Sequence, residues 1–126
     1  MNIYLDGVFD MFHIGHLESI KQIKTLYPNC YLIVGVVSDE DALSYKRLPI
    51  IKFEDRCEII KSIKYIDKVV EKSPLVIDKE FLNRYSIDLV VHGFASIEDE
   101  KNQLCFFKEL IKLDKFKKVP YYDKIS

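Results

Sequence analysis

The sequence predicts an α/β fold, a five-stranded parallel sheet with helices on both faces. Three observations predict it. Short apolar, β-branched runs alternate with segments of helical periodicity. The run at residues 30–37, CYLIVGVV, is apolar almost throughout, as a strand covered on both faces must be. Non-periodic polar residues cluster just after the strand-like runs, where open sheets of this class bind ligands.

Residues 3–6 read as the first strand, closed by Gly7. Residues 14–27 set Leu17, Ile20, Ile23 or Lys24, and Leu26 or Tyr27 on helical spacing, and Pro28-Asn29 stops them. After the second strand, Ser38 offers an N-cap, and Asp39, Glu40 and Asp41 suit the first turn of a short helix. Residues 44–52, with Lys46, Arg47 and Pro49, read as a loop. Residues 53–64 put Phe53, Cys57, Ile60 and Ile63 or Lys64 on one helical face. Residues 66–70 are a third strand, 78–85 a short helix, and 87–92 a fourth strand ending at Gly93. Residues 100–113 predict a helix with Leu104, Phe107, Leu110 and Ile111 inward, and 119–121 a last short strand. Parallel strands joined by helices require right-handed crossovers.

The chain has 126 residues, enough for one domain with its own core. Hydrophobic residues are 48% and charged residues 31%, a soluble globular composition. The net charge of −1 excludes a surface built throughout for a nucleic-acid backbone. The lysine-rich stretch 108–118 reads as a solvated helix face, and its apolar stripe as core. The glycines, Gly7, Gly15, Gly35 and Gly93, are spaced for neither a G-x-G-x-x-G nor a G-x-x-x-x-G-K-[ST] loop. Cys30, Cys57 and Cys105 form no C-x-x-C pair and sit among apolar residues, which predicts buried thiols in a reducing cytoplasm. The N-terminus lacks the basic region of a signal peptide, and no apolar run approaches the roughly 20 residues of a membrane span.

His13-Ile14-Gly15-His16 follows the first strand and opens a helix, so two imidazoles three residues apart can address one spot. The amides of a first helical turn face the same spot, and Gly15 lets a bulky anion approach the backbone. Dipole, N–H groups and imidazole donors together suit a phosphate chain, with Lys46 and Arg47 adding charge from the loop. Zinc binding by H-x-x-H needs further ligands, and a purely structural histidine pair is the other alternative. His92 is open between a satisfied strand-end histidine and a residue lining the nucleotide pocket.

The stretch Gly7-Val8-Phe9-Asp10-Met11-Phe12-His13-Ile14-Gly15-His16 resembles the signature of the cytidylyltransferase family of HxGH nucleotidyltransferases. The likeness continues in order. Residues 27–36 are similar to the second strand of its choline-phosphate branch. Tyr45-Lys46 followed by Glu54-Asp55-Arg56 is similar to the catalytic-lysine loop and the E-x-R helix start. Residues 64–70, KYIDKVV, resemble an R-Y-V-D-E-V-V segment, and 87–93, IDLVVHG, resemble the fourth strand of the ethanolamine-phosphate branch.

The resemblance implies a Rossmann-like three-layer sandwich that transfers CMP from CTP to an amino-alcohol phosphate, phosphoethanolamine or phosphocholine, releasing pyrophosphate. It assigns catalysis to His13, His16 and Lys46. Nucleotide binding falls to Gly7, Val8, Phe9, His13, Gly15, His16, Lys46, Arg56, His92, Gly93, Ile125 and Ser126. Asp6, Lys46 and Glu98 would bind the acceptor, with Glu98 and Asp6 suiting a primary ammonium. Leu75, Glu98 and Phe107 stand where the choline branch rings its ammonium. Mg²⁺ would arrive on CTP, held by phosphates and water with no dedicated protein ligands. Homodimers pairing partly through residues 64–70 are implied, with no nucleic acid and no membrane segment.

Two departures stand out. Gly93-Phe94-Ala95 replaces an acidic motif after the fourth strand, and Tyr121-Tyr122-Asp123-Lys124-Ile125-Ser126 keeps only Ile-Ser of the family's nucleotide-closing motif. The expectation is one catalytic domain over residues 1–126 that ends inside that motif. A non-catalytic CTP-binding paralogue, or a transferase with another acceptor such as glycerol 3-phosphate, is the alternative.

Overall fold

The computed structural model describes residues 1–119. Its elements, in order, are β1 (Asn2–Gly7), α1 (Ile14–Leu26), β2 (Tyr31–Val36), α2 (Asp39–Tyr45), α3 (Phe53–Lys61), β3 (Lys68–Glu71), α4 (Lys79–Tyr85), β4 (Leu89–Gly93), α5 (Ile97–Gln103), a 3₁₀ turn (Leu104–Phe107), α6 (Lys108–Lys112) and β5 (Phe116–Val119). The five strands form one parallel sheet in the order β3-β2-β1-β4-β5. The chain reverses its direction of winding between β1 and β4, so the crevice of such a sheet opens at their carboxyl ends.

Alternation along the central strands divides two cores between the faces. Ile3, Leu5, Leu32 and Val34 pack with Ile20 and Ile23 of α1 and Cys57 and Ile60 of α3. Tyr4, Ile33 and Val90 pack with Phe81 and Leu82 of α4, Phe107 and Leu110. Helices therefore cover both faces, as the double burial of β2 from Leu32 to Val36 requires. Gly35 is needed here. A Cβ on it would lie 1.8 Å from the Tyr4 hydroxyl, which is hydrogen-bonded to Ser73 beneath β2.

Several boundaries and faces differ from the sequence expectation. The helix expected over 100–113 is broken, because the Phe106 carbonyl accepts the Ile77 amide (3.1 Å) outside the helix and the chain tightens there into a 3₁₀ turn. Phe107 and Leu110 are buried as expected, but Leu104 and Ile111 are exposed. Cys105, in the same turn, is exposed, whereas Cys30 and Cys57 are buried. Helix α3 ends at Lys61, so Ile63 and Lys64 lie beyond it. The last strand begins at Phe116, and the expected residues 120 and 121 lie outside the described residues. Its Lys117 and Lys118 mark it as a sheet edge. Among the described residues no helix is long and apolar enough to cross a membrane.

Candidate active site

At the carboxyl end of β1 the chain turns through Phe9 and Met11, both with left-handed backbone (φ 54° and 50°), before entering α1. The Phe9 ring lies where a Cβ on Gly7 would meet it at 3.0 Å, so Gly7 makes room for the ring. His13 is the N-cap of α1, and with His16 it forms a capping box built of imidazoles. His13 Nδ1 accepts the Gly15 N–H (3.0 Å), and His16 Nδ1 accepts the His13 N–H (3.1 Å). An accepting Nδ1 carries no proton, so each ring bears its proton on Nε2. The rings stack with centroids 4.0 Å apart, and Phe12 also stacks with His16 (5.2 Å). Burial, then His13 and Lys46, hold His16 down to a pKa of about 4. The helix-start amides expected to face a ligand are thus partly used: Gly15 N–H is already taken by His13.

The facing wall comes from the end of α2 and the loop after it. Ser38 caps α2 by accepting the Asp41 N–H (3.2 Å), and Lys46 is its C-cap residue. Asp10 pins the loop by accepting the Ile50 and Ile51 amides, each at 2.9 Å, with Arg47 at 3.6 Å. Burial works against its charge, but those amides and Arg47 outweigh it and keep the carboxyl below its usual range. Arg56 lies on the buried stripe of α3 and is fully buried. Its guanidinium donates to the carbonyls of Val8 (2.7 Å), Val37 (2.8 Å) and Ile51 (3.0 Å) and to Asp39 (2.5 Å). It therefore ties the ends of β1, β2 and the loop together.

The third wall starts at the end of β4. His92 is buried, with Nδ1 2.7 Å from Asp6 Oδ1 and Nε2 3.1 Å from Gln103 Oε1. Gln103 Nε2 donates to Asp99 Oδ1 (2.6 Å), whose other oxygen accepts the Ala95 N–H (2.8 Å). Lys46 Nζ lies 3.4 Å from Asp99 Oδ1. Burial raises the Asp99 carboxyl, but Ala95, Lys46 and Gln103 more than offset it, so it stays below its usual range. Tyr45 lies beside this network, and burial together with the charges of Asp6 and Asp99 pushes its hydroxyl up.

Together these walls enclose a cavity of about 390 Å³. Of the residues expected from the sequence, Asp6, Gly7, Val8, Phe9, His13, Gly15, His16, Lys46, His92 and Gly93 line it. His92 is a hydrogen-bonded, buried histidine at a strand end, and it also lines the cavity. Arg56 does not line it; it acts on the cavity only through the backbone it holds. Glu98 is exposed and off the lining, and the acid of this turn that faces the cavity is its neighbour Asp99. Phe107 is a core residue rather than part of a ring around a ligand. Ile125 and Ser126 lie outside the described residues.

Sequence reasoning missed Tyr45, Phe94, Asp99 and Gln103, all on the lining. The four-residue step from Asp99 to Gln103 on one helix face was the available signal for two of them. Among the described residues, no three His, Cys, Asp or Glu side chains converge to hold a metal, so His13 and His16 lack the further ligands zinc needs.

Residues 4–126 match the family model described as cytidylyltransferase-like. The chain is 40% identical over 92 residues to choline-phosphate cytidylyltransferase A of Homo sapiens, covering 73% of this chain and 25% of that one. It is 34% identical over 127 residues to choline-phosphate cytidylyltransferase 2 of Arabidopsis thaliana, covering 100% of this chain and 42% of the relative. An ethanolamine-phosphate cytidylyltransferase of Arabidopsis thaliana is 35% identical over 97 residues, covering 74% and 23%. The chain thus spans less than half the length of these curated relatives. A solved structure, the lipopolysaccharide core biosynthesis protein of Thermoplasma volcanium, shares the fold with a TM-score of 0.75 at 24% identity over 98% of both chains. By sequence along nearly its whole length, and with its histidine pair at the mouth of the β1 crevice, the chain belongs to the cytidylyltransferase-like family.

Proposed function

We propose that this chain transfers CMP from CTP to an amino-alcohol phosphate. A phosphate oxygen of the acceptor attacks the α-phosphorus of CTP. The bond from that phosphorus to the bridging oxygen breaks, and pyrophosphate leaves. The observation that carries the reading is the imidazole capping box: two neutral rings, fixed by their own helix, each with its proton on Nε2 at the cavity. Donors fixed before the reaction cost no reorganisation when charge develops on the phosphates, and each is worth about 10²–10³-fold in rate. Lys46 adds a mobile cation that can follow the phosphates, and Val8 and Phe9 would flank the nucleotide.

Mg²⁺ fits this reading as a passenger on the triphosphate. The rim carboxylates are already engaged, Asp10 by two backbone amides and Arg47, Asp99 by one backbone amide, the Gln103 side chain and Lys46, which leaves phosphate oxygens and water as the natural ligand set. Bound there, the ion would neutralise triphosphate charge.

Two further parts of the reading concern the whole protein. Pairing of two copies through residues 64–70 is supported by their position leading into β3, an edge strand. Action in a reducing compartment suits three free cysteines.

Incubation with CTP, Mg²⁺ and phosphoethanolamine or phosphocholine tests the proposal. Stoichiometric pyrophosphate and CDP-alcohol are expected. CTP binding without turnover on any phosphate acceptor would instead make the chain a non-catalytic nucleotide binder.

A further inference from the structure

Tyr45 is the last residue of α2 and stands on the cavity lining next to Lys46. It is half-buried, and its ring is packed. Phe106 meets that ring edge-on, with centroids 5.4 Å apart and planes at 80°. Phe106 is itself tied down, because its carbonyl accepts the Ile77 amide at 3.1 Å. The Lys46 ammonium lies 5.7 Å from the centre of the Tyr45 ring.

The ring is held, but its hydroxyl is not. Among the described residues the Tyr45 hydroxyl makes no hydrogen bond. Every sealed side-chain nitrogen or oxygen among those residues has a partner, so this unbonded oxygen must touch open space. The carboxylates that act on it most are Asp6 and Asp99, and both line the cavity, so the open space is the cavity. The polar side chains around it are engaged with one another: Asp6 with His92, His92 with Gln103, Gln103 with Asp99, and Asp99 with Lys46. A tyrosine hydroxyl inside a protein normally finds a partner. Here the chain supplies none, which leaves a ligand to do so. Burial, then Asp6 and Asp99, push the hydroxyl up, so it keeps its proton and stays a donor.

The charges around the cavity say which ligand oxygen it meets. His16 feels His13, Lys46 and Asp10, whereas Tyr45 feels Asp6, Asp99 and Asp41. The imidazole donors and the hydroxyl therefore serve different ends, with Lys46 within reach of both. A triphosphate, the most highly charged group of either substrate, belongs with the imidazoles and away from the acids around Tyr45. The acceptor carries one phosphate and a balancing positive charge, and that end tolerates it. We infer that Tyr45 Oη donates to a non-attacking phosphate oxygen of the acceptor and so holds the attacking oxygen towards the α-phosphorus of CTP. This role rests on the cytidylyltransferase reading and adds a residue to its acceptor site. A hydrogen bond to a charged oxygen is among the stronger kinds, and a packed ring aims it at little cost. The contact is with the phosphate, which every acceptor shares, so it acts alike on phosphoethanolamine and phosphocholine.

The test is Tyr45→Phe in the full chain, which keeps the ring and its contact with Phe106 and removes only the hydroxyl. Pyrophosphate release is measured with phosphoethanolamine and with phosphocholine, CTP affinity by calorimetry without acceptor, and stability by thermal melting. The kcat/KM for acceptor is expected to fall about 10-fold or more, by the same factor for each acceptor used. CTP affinity should stay within about twofold, and the Tm within about 1 °C, because the hydroxyl holds nothing in the protein. A merely structural role would move the Tm and the CTP affinity together with the rate. An unchanged kcat/KM for acceptor overturns the inference. So does weakened CTP binding, which would give the hydroxyl to the nucleotide, or a loss confined to one of two acceptors, which would give it to the head group. A Tyr45→Phe protein that melts early or fails to fold overturns it as well, since the hydroxyl would then serve the fold. Each of these leaves the transferase standing. No turnover of either acceptor by the unaltered protein overturns the transferase reading and this inference with it.

Discussion

His16 accepts at its Nδ1 the backbone N–H of His13, the residue that caps its own helix, at 3.1 Å. The same two side chains thus close the helix and present Nε2 protons to the cavity. Fold and chemistry separate under substitution. Asparagine is a good N-cap, and glutamine at N3 completes a capping box, yet neither supplies the imidazole donor. His13→Asn and His16→Gln should each keep the Tm within about 2 °C and lower kcat by about 10²–10³-fold. His13→Ala should lose about 1 kcal/mol of stability as well. Thermal melts and steady-state kinetics on the three variants check this, and equal melting losses in His13→Asn and His13→Ala would remove the capping role.

The depressed pKa of His16, about 4, has a direct pH consequence. An unfolded histidine titrates near 6.5, so between about 4 and 6.5 the unfolded chain binds the proton more readily than the folded one. This contribution to stability is complete above about pH 6.5 and is lost as pH falls through that window. A bound triphosphate reverses the local field and raises the His16 pKa. Nucleotide binding at pH 6 should therefore take up protons, measured calorimetrically in buffers of different ionisation enthalpy. His16→Gln should lose that part of the uptake.

The strands were legible because a doubly covered strand must be apolar residue after residue, as in Leu32–Val36, and helices α1 and α3 because their core contacts repeat on helical spacing. The histidine pair was legible because it sits at a strand end and a helix start together. Less was legible where a side chain's partner lies far along the chain. Gln103 is buried against His92, eleven residues away, and no local pattern announces a buried amide. The break after Gln103 arises from a bond to Ile77, which periodicity within residues 100–113 cannot register. Arg56 shares a helical face with Phe53, Cys57 and Ile60, so its burial was readable from the stripe. A charged residue is placed inside a core only when enough acceptors are known to meet it.

Arg56 has those acceptors: three carbonyls and Asp39. Its removal leaves the ends of β1 and β2 and the Ile51 loop without their shared donor. Arg56→Met should cost about 3 kcal/mol or more and lower the Tm by roughly 10 °C. Because Arg56 does not line the cavity, the residual activity at low temperature should show a raised KM for CTP from loosened walls. Arg56→Lys should recover part of the stability, since one ammonium cannot reach four acceptors in the guanidinium's plane. Denaturant unfolding and kinetics at 10 °C separate the two effects, and an Arg56→Met protein of unchanged stability would refute the tying role.

Gly35 packs directly against the Tyr4 side chain in the sheet. The Tyr4 hydroxyl and Ser73 fill the space beside Gly35, where a Cβ would stand 1.8 Å from the hydroxyl oxygen and 2.7 Å from Ser73 Oγ. Both side chains are fully buried, so neither can swing into solvent. Gly35→Ala should therefore destabilise by about 2 kcal/mol or more through overpacking. Tyr4→Phe removes the nearest colliding atom, keeps the ring carbon Cζ that a Cβ would meet at 2.6 Å, and leaves Ser73 with an unpaired hydroxyl, at a cost of about 1–2 kcal/mol. The double variant is expected to lose less than the sum of the two, because the hydroxyl deleted by one is the nearest of the atoms struck by the other. A double-mutant cycle in urea measures that coupling, and strict additivity would mean that the strand backbone moves away from Tyr4 rather than resisting it.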